Sequence, residues 1–187
     1  MAPRPPKGNP RSGPRSASLG KRPAARVMDD SLPARPERER AIELAYRVVA
    51  RRERTVAELR TCLEGKRVEP GAIDEAVSEL EETSFLDDAR YAERFAEDKR
   101  ALERWGSERI ARELRRRGVA PELVERALAA QDRGAELEAA VELLGRRMPA
   151  IPRDDRERDR AWRLLVRRGY EPELAYEAVR AHGRRAA

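Results

Sequence analysis

Three prolines set the frame of this chain. Pro70, Pro121 and Pro172 stand 51 residues apart, and their neighbours keep the same offset. Leu63, Leu114 and Leu165 align, as do Val68, Val119 and Tyr170. So do Ile73, Val124 and Ala175, and Val77, Leu128 and Val179. Each stretch reads as an apolar helix, a short basic turn and a helix opened by proline. A fixed period of this kind means one supersecondary unit copied along the chain, which constrains the fold before any other feature does. The period is longer than a two-helix repeat needs and suits three short helices per unit.

Local signals agree with that count. Thr55 and Glu58 form a Thr-x-x-Glu capping box that opens a helix toward Leu63. Ser107 is the expected cap of the equivalent helix in the next unit. Gly118 and Gly169 stand where a glycine ends those helices, and each proline sits in a first turn, where its missing N–H costs nothing. Tyr91, Ala92, Phe95, Ala96 and Leu102 mark one face of the leading helix of the second unit. The pattern predicts helices over 38–53, 55–65, 70–82, 88–104, 107–117, 121–131, 135–147, 156–168 and 172–182, with a loop over Arg146 to Asp155. Composition supports helices and little else. Aromatic residues make up 4% of the chain and charged residues 41%, whereas strands draw on aromatic and β-branched residues. The expected fold is all-α: an elongated array of three tandem three-helix repeats, at 37–86, 87–134 and 135–187. Many core positions are alanine, so each unit buries little and needs its neighbours.

The formal net charge of +6 sits entirely in the first 36 residues. Eight cations there face only Asp29 and Asp30, and eight of the 13 prolines lie in the same stretch. With almost no large apolar side chains, 1–36 reads as a disordered basic tail. It is either a solubilising extension or an arm that touches nucleic acid through counterion release. The first reading is preferred, because the excess of Arg over Lys and the abundant Ala fit a GC-rich genome. The remainder of the chain is formally neutral.

Several classes of function are disfavoured. The single Cys62 allows no internal disulfide framework or multi-Cys metal site, and the single His182 removes most His-based catalytic or metal constellations. No cofactor, metal or catalytic residues are expected. No apolar run approaches the length of a membrane span, and no apolar stretch follows the basic start as a secretory signal requires. The expectation is a cytoplasmic protein that is not an enzyme and acts by binding.

One motif departs from the repeat: Phe85-Leu86-Asp87-Asp88-Ala89-Arg90-Tyr91-Ala92. Its local reading is structural. Asp87 caps the following helix, Asp88 sits favourably at the positive end of the helix dipole, and Leu86 staples against Tyr91. Yet Phe-Leu-Asp-Asp-x-Arg-Tyr-Ala also resembles a characteristic motif of the RecX family of bacterial recombination regulators. The Trp105-Gly106-Ser107 turn and the run Ile110-Ala111-Arg112-Glu113-Leu114-Arg115-Arg116-Arg117-Gly118-Val119 are similar to the same family's pattern. The resemblance spans the body, is strongest from Phe85 to Leu128, and does not extend to the tail. One departure is Arg67, which stands where the other units have Gly118 and Gly169, so the first unit's helix is expected to end differently. The resemblance implies an all-α regulator that binds the RecA recombinase filament on single-stranded DNA and suppresses its ATPase and strand-exchange activities. Single-stranded DNA would be met indirectly or weakly, and the protein would be a monomer.

The candidate partner-binding residues are therefore Asp87, Asp88, Arg90 and Tyr91 of the motif, together with a recurrent basic position. Lys66, Arg117 and Arg168 occupy the same place in successive units, with Arg67, Arg116 and Arg167 beside them. Such cations offset the dipole at helix C-termini. They are also expected to project as a spaced cationic row. Trp105 and Trp162 read as core or inter-unit packing rather than base-stacking platforms. The alternatives to a RecA modulator are a helical DNA-binding transcriptional regulator and a generic helical-repeat scaffold. Against the first, the body is neutral and no helix carries a dense set of base-reading side chains.

Overall fold

The computed structural model describes Glu37–Arg185, so the tail expected to be disordered lies outside the described residues. Within them the chain forms nine helices and no strand. The first trio is α1 (Glu37–Val49), α2 (Val56–Glu64) and α3 (Pro70–Glu82). The second is α4 (Asp88–Glu103), α5 (Ser107–Arg116) and α6 (Pro121–Ala129). The third is α7 (Arg133–Arg147), α8 (Asp155–Arg168) and α9 (Pro172–Arg185).

The principal contacts stay within each trio. Helix α1 packs on α2 and α3, α4 on α5 and α6, and α9 on both α7 and α8. Three separate cores result, one per trio. Leu59, Leu63, Ile73, Val77 and Leu80 fill the first, and Ile110, Leu114 and Val124 the second. Leu144, Leu165, Tyr170 and Leu174 fill the third. Ala41 and Ala45 of α1 recur one period on as Ala92 and Ala96 of α4, all essentially without exposure. These small side chains let the first helix of each unit lie close against the third. The third unit breaks this rule and uses Val141, Leu143 and Leu144 on α7 instead.

Each Pro-opened helix begins where the period places it, with proline in the first turn. The turn before it is the same three times. Val68, Val119 and Tyr170 each donate a backbone bond to the carbonyl of Leu63, Leu114 and Leu165, at 3.2, 3.1 and 3.2 Å. This is the six-to-one closure of a Schellman turn, which needs a left-handed residue just before the donor. Gly118 and Gly169 have φ +80 and +89. Arg67 has φ 59, so the first unit ends its helix as the others do, against expectation. The hydrogen-bonded closure outweighs the left-handed strain of a residue with a Cβ, about 1–2 kcal/mol.

Other boundaries moved for physical reasons. Helix α1 stops at Val49 rather than 53, because after Ala50 only Arg51, Arg52, Glu53, Arg54 and Thr55 precede Val56 and none offers an apolar side chain to pack a further turn. Helix α7 starts at Arg133, two residues early, because the side chain of Asp132 caps Ala135 N at 2.8 Å. Ser107 is not a cap. Gly106 holds that position with no side-chain bond, and Ser107 is the first helical residue. Leu86 is buried in the first core, while Tyr91 packs against the second, so the two residues of the expected staple belong to different cores.

Candidate partner-binding interface and the joints between units

The residues singled out in the sequence lie mostly where one unit meets the next. At the first joint the C-terminal end of α5 abuts the N-terminal end of α2. The Thr55 hydroxyl donates to the Arg117 carbonyl at 2.6 Å while accepting from Glu58 N at 3.1 Å. Thr55 has no exposed surface. Half of the expected capping box is thus present. The other half is diverted, because the Glu58 carboxylate accepts from Arg117 Nη1 at 2.9 Å.

The second joint repeats the arrangement at the same offset. Gly106 N donates to the Arg168 carbonyl at 2.9 Å, and Glu108 N to the Gly169 carbonyl at 3.0 Å. The carbonyl end of α8 therefore meets the amide end of α5, as α5 meets α2. Opposite ends of helix dipoles face each other at both joints. A carboxylate from the next unit's leading helix completes each joint. Asp88 Oδ1 accepts from Val56 N at 2.9 Å, and Glu136 Oε1 accepts from Ser107 N at 2.8 Å. Asp88 thus satisfies an amide of the preceding unit while Asp87 caps its own helix through Arg90 N at 2.9 Å.

Glycine is required at these joints for closeness as well as for conformation. A Cβ on Gly118 would lie 2.3 Å from the Ala57 Cβ, and one on Gly169 would lie 2.2 Å from the Arg109 Cβ. Arg67 ends α2, and no preceding trio packs on it among the described residues. Its side chain therefore meets no such obstacle, which is why the period tolerates arginine there.

The cationic row does not project as expected. Arg117 is partly buried. It donates to Glu58, to Glu113 Oε1 at 3.1 Å and to the Tyr91 hydroxyl at 3.0 Å, and its guanidinium lies 5.3 Å from the Phe95 ring centroid. Arg168 is also partly buried and donates to the Glu103 carbonyl at 2.7 Å. Each of these two long side chains reaches a group of the neighbouring unit. Only Lys66 of the three is exposed, beside Arg40, Arg47 and Arg67 around a shallow pocket of about 290 Å³. The flanking pair does stay outside. Arg116 is exposed and holds Glu113 through two bonds of 2.9 and 2.6 Å, and Arg167 is exposed on α8.

Within the motif, Arg90 is exposed and donates to the Ser84 carbonyl at 2.8 Å. Tyr91 stacks on Phe95 with centroids 6.1 Å apart. Burial is the first cause that raises the Tyr91 hydroxyl above its ordinary pKa, with Arg117 opposing it. Burial likewise raises the Asp88 carboxyl; the Val56 N–H opposes the rise, and Glu81, Asp87 and Glu58 add to it. Glu113 lies below the usual carboxylate range, first because of its hydrogen bonds from Arg116. At the second joint, burial pushes the Tyr170 hydroxyl up to about 12. Trp105 lies against the second core, edge-on to Phe95 and 4.0 Å from the Arg109 guanidinium. Trp162 lies against the third core and donates to the Pro172 carbonyl at 3.0 Å.

Sequence reasoning missed Thr55, Gly106 and Glu136 as joint residues. A signal existed for two of them, since Gly106 and Ser107 are one period beyond Thr55 and Val56. Glu136 has no such mark. Among the described residues no group of His, Cys, Asp and Glu could hold a metal ion, and no helix is long and apolar enough to cross a membrane.

These joints define an all-α protein of tandem three-helix units linked helix end to helix end. Comparison with known proteins narrows the class. Residues 41–80 match the family model described as RecX, first three-helix domain, and residues 87–128 match RecX, second three-helix domain. The chain is 34% identical over 163 residues to the regulatory protein RecX of Deinococcus radiodurans, covering 84% of this chain and 78% of that one. It is 37% identical over 134 residues to the regulatory protein RecX of Trichlorobacter lovleyi, covering 70% of this chain and 87% of that one. Its fold is similar to the crystal structure of RecX from Lactobacillus salivarius, with a TM-score of 0.71 at 18% identity, over 78% of this chain and 96% of that one. The chain belongs to the RecX family of regulatory proteins.

Proposed function

We propose that this protein binds the RecA recombinase filament on single-stranded DNA and mainly inhibits its ATPase and strand-exchange activity in recombination, repair and the SOS response. The observation that carries this reading is family membership across the repeat array, with relatives named as regulatory proteins. The protein acts by binding alone, as a cytoplasmic monomer, and meets single-stranded DNA indirectly or weakly through the filament.

The contact residues follow from what the fold leaves available. Lys66, Arg90, Arg116 and Arg167 are exposed and lie in the motif or beside the basic turns. Arg117, Arg168 and Asp88 act by holding the units in register so that those exposed groups face the filament together, while Asp87 caps α4 and Tyr91 accepts from Arg117 within the second unit. The test is RecA ATPase on single-stranded DNA with and without the protein. Inhibition that is weakened by Lys66→Glu with Arg167→Glu, at unchanged thermal stability, supports the reading. An ATPase rate unaffected by excess protein refutes it.

A further inference from the structure

The crevice at the first joint holds more positive charge than the fold uses. It is about 420 Å³ in volume and is bounded by the α1–α2 connection, the outer face of α2 and the C-terminal turn of α5. Five arginines line it: Arg52 and Arg54 from the first unit, and Arg115, Arg116 and Arg117 from the second. The one carboxylate in the lining, Glu58, is engaged by Arg117 through Oε1, while its Oε2 is buried without a hydrogen-bond partner and lies 3.5 Å from Arg52. Glu113, behind it, is engaged by Arg116 and Arg117.

Two of the five have no acceptor. Arg54 and Arg115 make no side-chain hydrogen bond or ion pair among the described residues, and the Arg54 Nε is buried without a partner. A buried donor left unmatched is costly, and guanidinium groups gathered from two units repel one another. Nothing in the packing of either core requires them there. We infer that this crevice is a binding site for phosphate groups, which would bridge Arg54 of the first unit to Arg115 of the second.

The chemical class follows from the donors. A guanidinium presents a planar fork that matches two oxygens of a phosphate. Carboxylates are already present and have satisfied Arg116 and Arg117, yet Arg54 and Arg115 remain. These two come from different elements, Arg54 from the α1–α2 connection and Arg115 from the C-terminal turn of α5. A tetrahedral phosphate offers oxygens in several directions at once, whereas a carboxylate offers two in one plane. Occupancy would tie the two units across their joint, beside the Thr55 and Asp88 bonds.

The half-buried Cys62 lies in the same lining and is the chain's only cysteine, so its reactivity reports on the crevice. The full chain is treated with uncharged N-ethylmaleimide, and Cys62 labelling is followed by mass spectrometry at fixed ionic strength without recombinase. Sodium tripolyphosphate and an oligothymidylate are the two probes. A probe present at twice its dissociation constant should slow labelling about threefold. Protection by tripolyphosphate alone assigns free polyphosphate chemistry, and protection by the oligothymidylate assigns a nucleic-acid backbone; either sustains the proposal. Arg54→Gln with Arg115→Gln should abolish protection while leaving the circular dichroism spectrum unchanged. Arg156→Gln with Arg160→Gln, on the exposed face of α8, should leave protection intact. Arg115→Gln alone, at an exposed position, should reduce it. No protection by either probe, or equal protection in the Arg54 and Arg115 variants, overturns the proposal and leaves the recombinase reading untouched.

Discussion

Replacing Gly106 by alanine isolates what a joint contributes. Gly106 has φ −78 and ψ 163, an extended conformation open to any residue, so alanine introduces no backbone strain of its own. Its Cβ would instead lie 2.3 Å from both the Gly169 carbonyl oxygen and Tyr170 N, which are backbone atoms that cannot rotate away. Ordinary contact begins near 3.4 Å, so the third unit must retreat by about 1 Å. That movement stretches the bonds from Gly106 N to Arg168 O and from Glu108 N to Gly169 O, now 2.9 and 3.0 Å, out of hydrogen-bonding range. At about 0.5–1.5 kcal/mol each, their loss costs about 1–3 kcal/mol. The opposing term is the reduced freedom of the unfolded chain, about 0.4–1 kcal/mol in favour of alanine. The net expectation is a destabilisation of about 1–2 kcal/mol, or a melting temperature lower by about 2–8 °C. In a linear array the joint term also couples the units, so the unfolding transition should broaden as the third trio separates from the second. Urea and thermal unfolding would be followed by circular dichroism and by the fluorescence of Trp105, next to the joint. Gly145→Ala is the matched control. It lies within α7 with nothing near its Cβ position, and should stabilise by about 0.5–1 kcal/mol. A Gly106→Ala protein at least as stable as the wild type would refute the reasoning.

Two further outcomes follow from the first joint. Thr55→Ala removes a helix cap and an inter-unit bond together and should cost about 2–3 kcal/mol, with Thr55→Ser recovering most of it, read from urea midpoints. Asp88→Asn keeps an acceptor for Val56 N but removes a half-buried charge. Because the folded pKa of Asp88 is raised above 3.8, the native state holds its proton more tightly than the unfolded chain does. The wild type therefore loses stability as pH rises from that value through the folded pKa, and the loss is complete at neutral pH. Asp88→Asn should match or exceed wild-type stability at pH 7, with any advantage vanishing below about pH 4. An asparagine variant less stable than wild type by the same margin at both pH values would show that the charge itself is needed.

Much of the fold is legible because it rests on local signals. The proline period, the apolar positions locked to it and the glycine turns each act over a few residues, and each unit buries its own core. The caps at Thr55 and Asp87 were readable for the same reason, since a side chain three residues from an unpaired amide needs no tertiary context. Arg67 shows the limit. Its side chain suggested a different helix end, but the backbone closure to Leu63 is set by the turn and overrides the local preference.

The candidate site was less legible. Lys66, Arg117 and Arg168 are equivalent in sequence, yet one is exposed and two are partly buried at joints. Nothing in their own neighbourhoods separates them. The difference is that a unit packs ahead of the second and third trios and none packs ahead of the first among the described residues. The sequence by itself determined the number of units, their helices and the turns that end them, because those depend on spacing and on single-residue conformations. Only the tertiary structure decided which charges are spent inside the protein and which are left for a partner. An arginine's long flexible side chain takes its role from what lies within its reach, and that is fixed by the meeting of helix ends 59 to 65 residues apart in the chain.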